Sequence, residues 1–154
     1  MQLKIDAIEV DAEIEVLEVV NGEMQDPTTA DQASWYKDTG RLGVDGNVII
    51  AGHLNYWGIP EGVFFRLDQL EKNDVIELTD EDGELYRYQV TWVKNYPSDE
   101  APPKDVVDGT GKELLTLITC GGEWNANAVE YNERTVVRAQ LIEENEDDFQ
   151  NVQP

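Results

Sequence analysis

Three residues of this chain carry side chains suited to acyl transfer, and each stands at the end of an apolar run. Cys120, the only cysteine, closes "LLTLITC" just before Gly121 and Gly122. His53, the only histidine, closes "NVIIAGH", and Arg134 opens "RTVVRAQL". A free thiol, with a pKa of about 8.5, is mostly protonated at neutral pH; a cationic neighbour favours the thiolate, the form that attacks carbonyl carbon. Histidine can protonate a leaving amine and later accept a proton from an incoming nucleophile. Arginine, always cationic, can hydrogen-bond the oxyanion of a tetrahedral intermediate. The two glycines would let backbone and substrate approach with no Cβ between them. Each residue also has a plain structural role: a packed thiol, a hydrogen-bonded surface histidine, a solvated ion-pair arginine, a glycine turn. Residue chemistry by itself leaves both readings open.

The elements that must position these groups are strands. If "LLTLITC" and "RTVVRAQLI" pair antiparallel, Cys120 lies near Arg134, whereas Arg138 lies roughly 13 Å further along at ~3.3 Å per residue. Val48, Ile49 and Ile50 form a short buried strand ending near His53. In "LKIDAIEVDAEIEVLEV" apolar residues alternate with one slip of register, which predicts a strand with a bulge. A short helical turn is expected around Ala33 to Tyr36. The spacing of Phe64, Leu67 and Leu70 predicts a short helix. Asp82-Gly83 marks a hairpin between two strand patterns, and "PSDEAPPKDVVDGTGKE", with three prolines, reads as a long loop or a short proline-led helix. Six to eight short strands with one or two small helices make a mostly-β barrel or sandwich. Residues 144–154, acidic and poor in apolar side chains, are expected to be a disordered tail.

With 154 residues the chain is large enough for one domain with a core of its own. A single cysteine excludes an internal disulfide. The 33 acidic residues against 11 Lys and Arg give a formal charge of -22, which argues against nucleic acid or anionic lipid as a partner. No apolar stretch approaches the ~20 residues of a membrane span, and no signal peptide is evident.

Taken together, "TLITC" (Thr116 to Cys120), the downstream Arg134 and the upstream "AGH" (Ala51 to His53) resemble the sortase family. The likeness runs from "LKIDAIEV" through "ASWY", "FFRLDQLEKND" and "YQVTWVKNYP" to "VVRAQL", and "ASWYKDTGRLGVDGNVIIAGH" and "LITCGG" are most similar to classes E and F. It implies a closed barrel of about eight strands over residues 1–143 and a cysteine transpeptidase. It implies Cys120 as nucleophile, His53 as general acid/base and Arg134 as oxyanion and substrate stabiliser. Asn55 and Thr119 would line the peptide groove, or simply make strand-end hydrogen bonds. The implied reaction cleaves an LPxTG-type sorting signal after its threonine through a thioacyl enzyme. The acyl group then passes to an amine of a cell-wall precursor or pilin at the outer face of a bacterial membrane. No cofactor and no metal is expected. Loop 95–113 corresponds to the variable segment that helps choose the signal. Typical sortases begin with a signal or anchor helix, so this chain reads as a catalytic domain cut from a longer protein or as a soluble variant. Two other classes use the same residues: a thiol hydrolase of this fold, and a catalytically silent β-barrel binding module.

Overall fold

The slip in the N-terminal alternation is a turn, not a bulge. Strand β1 (Gln2–Ile5) ends in a 3-10 turn, Asp6–Ile8, capped by Glu9 in the left-handed region at φ 57, and β2 (Val10–Leu17) returns antiparallel. The computed structural model describes residues 1–25, 27–54, 61–97, 112–120 and 133–142, with backbone alone at 23, 24, 97, 120 and 133. A two-stranded ribbon, β3 (Val19–Val20) with β4 (Glu23–Met24), follows β2. The main sheet continues with β5 (Ala33–Tyr36), β6 (Gly46–His53), β7 (Val75–Thr79), β8 (Leu85–Pro97), β9 (Glu113–Cys120) and β10 (Glu133–Leu141).

These strands close a barrel in the order β1-β2-β5-β6-β9-β10-β8-β7, with β7 pairing back onto β1. The mostly-β, eight-stranded closed barrel is therefore the architecture of this chain, and the Asp82-Gly83 hairpin joins β7 to β8 as its sequence predicts. Two further local expectations change. Ala33 to Tyr36 is a strand rather than a helical turn, because it is held between β2, in parallel, and β6, in antiparallel pairing. The expected helix at Phe64, Leu67 and Leu70 is a set of turns around a 3-10 segment, Leu67–Gln69. A spacing of three is the 3-10 period, and it buries all three side chains in the main core.

Alternation within the strands creates two apolar clusters. The larger fills the barrel with Leu3, Ile5, Ala12, Ile14, Val48, Ile50, Leu115, Leu117, Val137 and Ala139, among others. The smaller lies on the outer face of β2, β5, β6, β9 and β10 and comprises Leu17, Tyr36, Ile49, Ala51, Ile118 and Val136. A register shift in β8 opposite Arg138/Ala139 reverses its alternation, so Trp92 and Tyr96 join this outer cluster while Tyr88, Val90 and Val93 pack with the interior. That outer cluster is itself covered, its six residues all buried, and it lies beside the ends of β6, β9 and β10. Among the described residues no helix is long and apolar enough to cross a membrane.

Candidate active site at the ends of three strands

The parallel ladder between β6 and β9 ends on the pair His53 and Cys120. The antiparallel ladder between β9 and β10 pairs Ile118 with Val136, and the same register carried two residues on sets Arg134 opposite Cys120. The Thr135 amide, donating to the Thr119 hydroxyl at 3.0 Å, ties the strands at that level. Positions 53, 120 and 134 thus form one row on the outer face, one step beyond the row of Ala51, Ile118 and Val136. With strands about 4.8 Å apart, the row spans roughly 10 Å.

His53 is only 5% exposed. Its Nε2 lies 2.7 Å from the Pro27 carbonyl oxygen. A carbonyl can only accept, so Nε2 carries a hydrogen in this arrangement and, in the neutral ring, Nδ1 is the nitrogen without one. The histidine backbone is clamped too. The Phe64 amide donates to the His53 carbonyl at 3.1 Å, and the Gly62 amide donates to the Leu54 carbonyl at 2.9 Å. A Cβ on Gly62 would stand 2.2 Å from the His53 oxygen, so only glycine permits this approach.

Behind the histidine, Glu15 holds the segment that supplies the Pro27 carbonyl. Its carboxylate accepts from the Thr28 amide at 2.9 Å, the Thr28 hydroxyl at 2.6 Å and the Ser34 hydroxyl at 2.8 Å. Burial works against its charge, but the bonds from Thr28 and Ser34 and the nearby His53 outweigh it and hold the Glu15 carboxyl below its ordinary value.

Arg134 is half-buried, and its buried Nε has no hydrogen-bond partner among the described residues. An orphaned buried donor costs about 1–3 kcal/mol, a penalty that an acceptor on a bound substrate would remove. Arg138 is placed differently. Its Nε donates to the Thr116 hydroxyl at 3.1 Å, that hydroxyl donates to Asn47 Oδ1 at 2.7 Å, and its guanidinium lies 5.3 Å from the centre of the Trp92 ring. The register therefore sets Arg134, and not Arg138, level with Cys120.

Thr119 is buried, and its hydroxyl is engaged in tying β9 to β10. Asn55 lies outside the described residues, as do most of loop 95–113 and the acidic tail. Among the described residues no three His, Cys, Asp or Glu side chains gather as a metal site. Sequence reasoning missed Glu15, Pro27 and Gly62. Glu15 is one acid among 33 and carries no local mark; only the fold brings it behind His53.

With this geometry in place, residues 3–142 match the sequence profile of the sortase domain. No curated protein matches the chain in sequence. Among solved structures the chain is similar to sortase A of Listeria monocytogenes, at 25% identity and TM-score 0.67, covering 92% of this chain and 86% of that one. It is similar also to the sortase D5 transpeptidase of Clostridium perfringens, at 23% identity and TM-score 0.67, covering 92% and 78%. A lid mutant of sortase A from Corynebacterium diphtheriae superposes with TM-score 0.70 at 20% identity, covering 97% and 73%.

Proposed function

This chain belongs to the sortase family, and on that premise we propose that it is a Cys-His-Arg transpeptidase acting on an LPxTG-type sorting signal. The observation that carries this reading is the row formed by His53, Cys120 and Arg134 across three adjacent strand ends. In the proposed reaction the Cys120 thiolate attacks the carbonyl carbon of the signal's threonine, and Arg134 hydrogen-bonds the oxyanion. Collapse of the intermediate breaks the bond to glycine. His53 gives its proton to the departing amine through Nδ1, and a thioester joins the threonine to the enzyme. An incoming amine then attacks the thioester, His53 takes its proton, and the new amide leaves as Cys120 is regenerated.

Thr119 contributes by fixing β9 against β10 at the level of the nucleophile. Asn55 would add to the peptide groove, and segment 95–113 would choose among signals. The proposed acceptor is an amine of a cell-wall precursor or pilin, which places the reaction at the outer face of the bacterial membrane. The "ASWY" and "LITCGG" stretches favour a place near classes E and F.

The test is mass spectrometry of the protein with an LPxTG-type peptide and triglycine. Ligated peptide from the native protein, absent from Cys120→Ala, is the expected result. Cleavage without ligation would make it a thiol hydrolase instead. An unreactive thiol, with no thioacyl adduct from any peptide of a varied library, would leave a binding module.

A further inference from the structure

We propose that Glu15 is a positioning residue for His53: by gripping Thr28 it sets the Pro27 carbonyl that holds the imidazole by Nε2 and so commits Nδ1 to proton transfer. The catalytic half of this inference rests on the transpeptidase reading; the structural half does not.

Asp11, Glu13 and Glu15 all fall on the outer face of β2, but Asp11 and Glu13 are exposed whereas Glu15 is half-buried. Register explains the difference. Glu15 pairs with Ser34 of β5, and Ser34 pairs with Ala51 of β6, two residues before His53. The acid therefore looks onto the same outer face as the histidine. A carboxylate placed there meets three donors, two of them from one residue, Thr28, and the third from its ladder partner Ser34.

Thr28 adjoins Pro27, whose carbonyl meets His53 at 2.7 Å. Proline has no amide hydrogen with which to anchor itself, so the grip on its neighbour is what fixes that carbonyl. The adjoining chain is pinned further along by the Val63 amide, which donates to the Ala30 carbonyl at 2.7 Å. Glu15 thus works at one remove. It does not touch the reacting atoms; it acts through Thr28 and the Pro27 carbonyl.

The single histidine makes this testable without reference to catalysis, because the chain has one imidazole signal set in proton and nitrogen NMR. In the native protein the Nε2 proton should be a discrete, slowly exchanging downfield resonance. Glu15→Leu, which offers no acceptor to the three donors, should speed its exchange with solvent at least ten-fold while the backbone amide of Leu117 in the barrel exchanges as before. Glu15→Gln, which keeps a carbonyl oxygen, should restore exchange to within a few-fold of native. Thr28→Ala, which leaves Glu15 in place but removes one arm of the grip, should move exchange in the same direction as Glu15→Leu. Ligation rates should fall about ten-fold in Glu15→Leu and recover in Glu15→Gln.

A folded Glu15→Leu with native ring-proton exchange would overturn the proposal, as would a native protein whose ring proton sits on Nδ1. Absence of ligation in the native protein, with the ring proton behaving as stated, would sink the transpeptidase reading and leave the positioning intact. Ligation by the native protein that Glu15→Leu leaves unchanged would do the reverse.

Discussion

His53 and Cys120 are register partners on the last rung of the parallel ladder between β6 and β9. In the proposed reaction these are the general acid and the nucleophile, and strand pairing by itself sets their positions side by side. The antiparallel ladder to β10 sets Arg134 at the same level, so the proposed site is organised by strand pairing.

From this row follows a graded loss of ligation. Cys120→Ala should abolish thioacyl formation, since no other residue of the chain carries a thiol. His53→Ala should slow ligation by about 10²–10⁴-fold, the usual worth of a general acid/base. Arg134→Ala should slow it by about 10²–10³-fold, with Arg134→Lys a poor substitute because a point charge cannot present the guanidinium fork. Arg138→Ala should leave ligation within a few-fold of native; a loss equal to that of Arg134→Ala would mean that the wrong arginine has been placed in the site.

Gly62→Ala should damage the site without touching a reacting group. The added carbon would sit 2.2 Å from the His53 carbonyl oxygen, and the obstruction is backbone, not a flexible side-chain end. Overpacking of this kind costs about 1–3 kcal/mol. Thermal unfolding should show a lower midpoint, and ligation should drop further than the stability loss explains. An unchanged midpoint with full activity would show that the 61–64 segment is not clamped on the histidine.

Acid should reveal Glu15. Its folded pKa lies below the ordinary value of 4.5, so in that interval the unfolded chain binds the extra proton and stability rises with pH. The contribution is complete above the ordinary value and disappears as pH falls through the lower, folded one. Glu15→Gln should therefore be less stable than native at neutral pH, with the gap closing as pH falls below the ordinary carboxyl value and through the lower, folded one. Urea midpoints at several pH values measure this; a gap that stays constant would remove the charge of Glu15 from the account.

Salt should stabilise the chain. A formal charge of -22 on 154 residues makes self-repulsion a general burden, which counter-ions screen. Only four ion pairs occur among the described residues, all of them involving at least partly exposed groups, so few attractions are lost to the same screening. Unfolding midpoints should climb from about 50 mM to about 1 M sodium chloride. A flat or falling midpoint would mean that the acidic residues are spaced widely enough to be indifferent.

Much of this protein is legible in the chain because its signals are local. The alternation of Leu3 with Ile5 and of Val10 with Ala12 and Ile14 announces strands. Asp82-Gly83 announces a hairpin, and the strand-end positions of Cys120, His53 and Arg134 announce where chemistry could occur. Each is a matter of neighbours in sequence, and periodicity reads neighbours. Ala33 to Tyr36 misleads for the same reason: four residues are too few to show a period, and only their place between β2 and β6 makes them a strand.

Pairing between distant strands is a different kind of fact. Closure of the barrel, not any local motif, sets β6 beside β9 in parallel and so brings His53 level with Cys120. Closure also carries Glu15 of β2 across β5 to the back of the histidine, where an acid indistinguishable from its neighbours in sequence meets Thr28 and Ser34. Sequence alone marked which side chains are suited to acyl transfer and most of the strands, though not Ala33–Tyr36. Tertiary structure decided which of them stand together, because register is fixed by closing the sheet around a buried interior, a constraint that no short stretch of sequence contains.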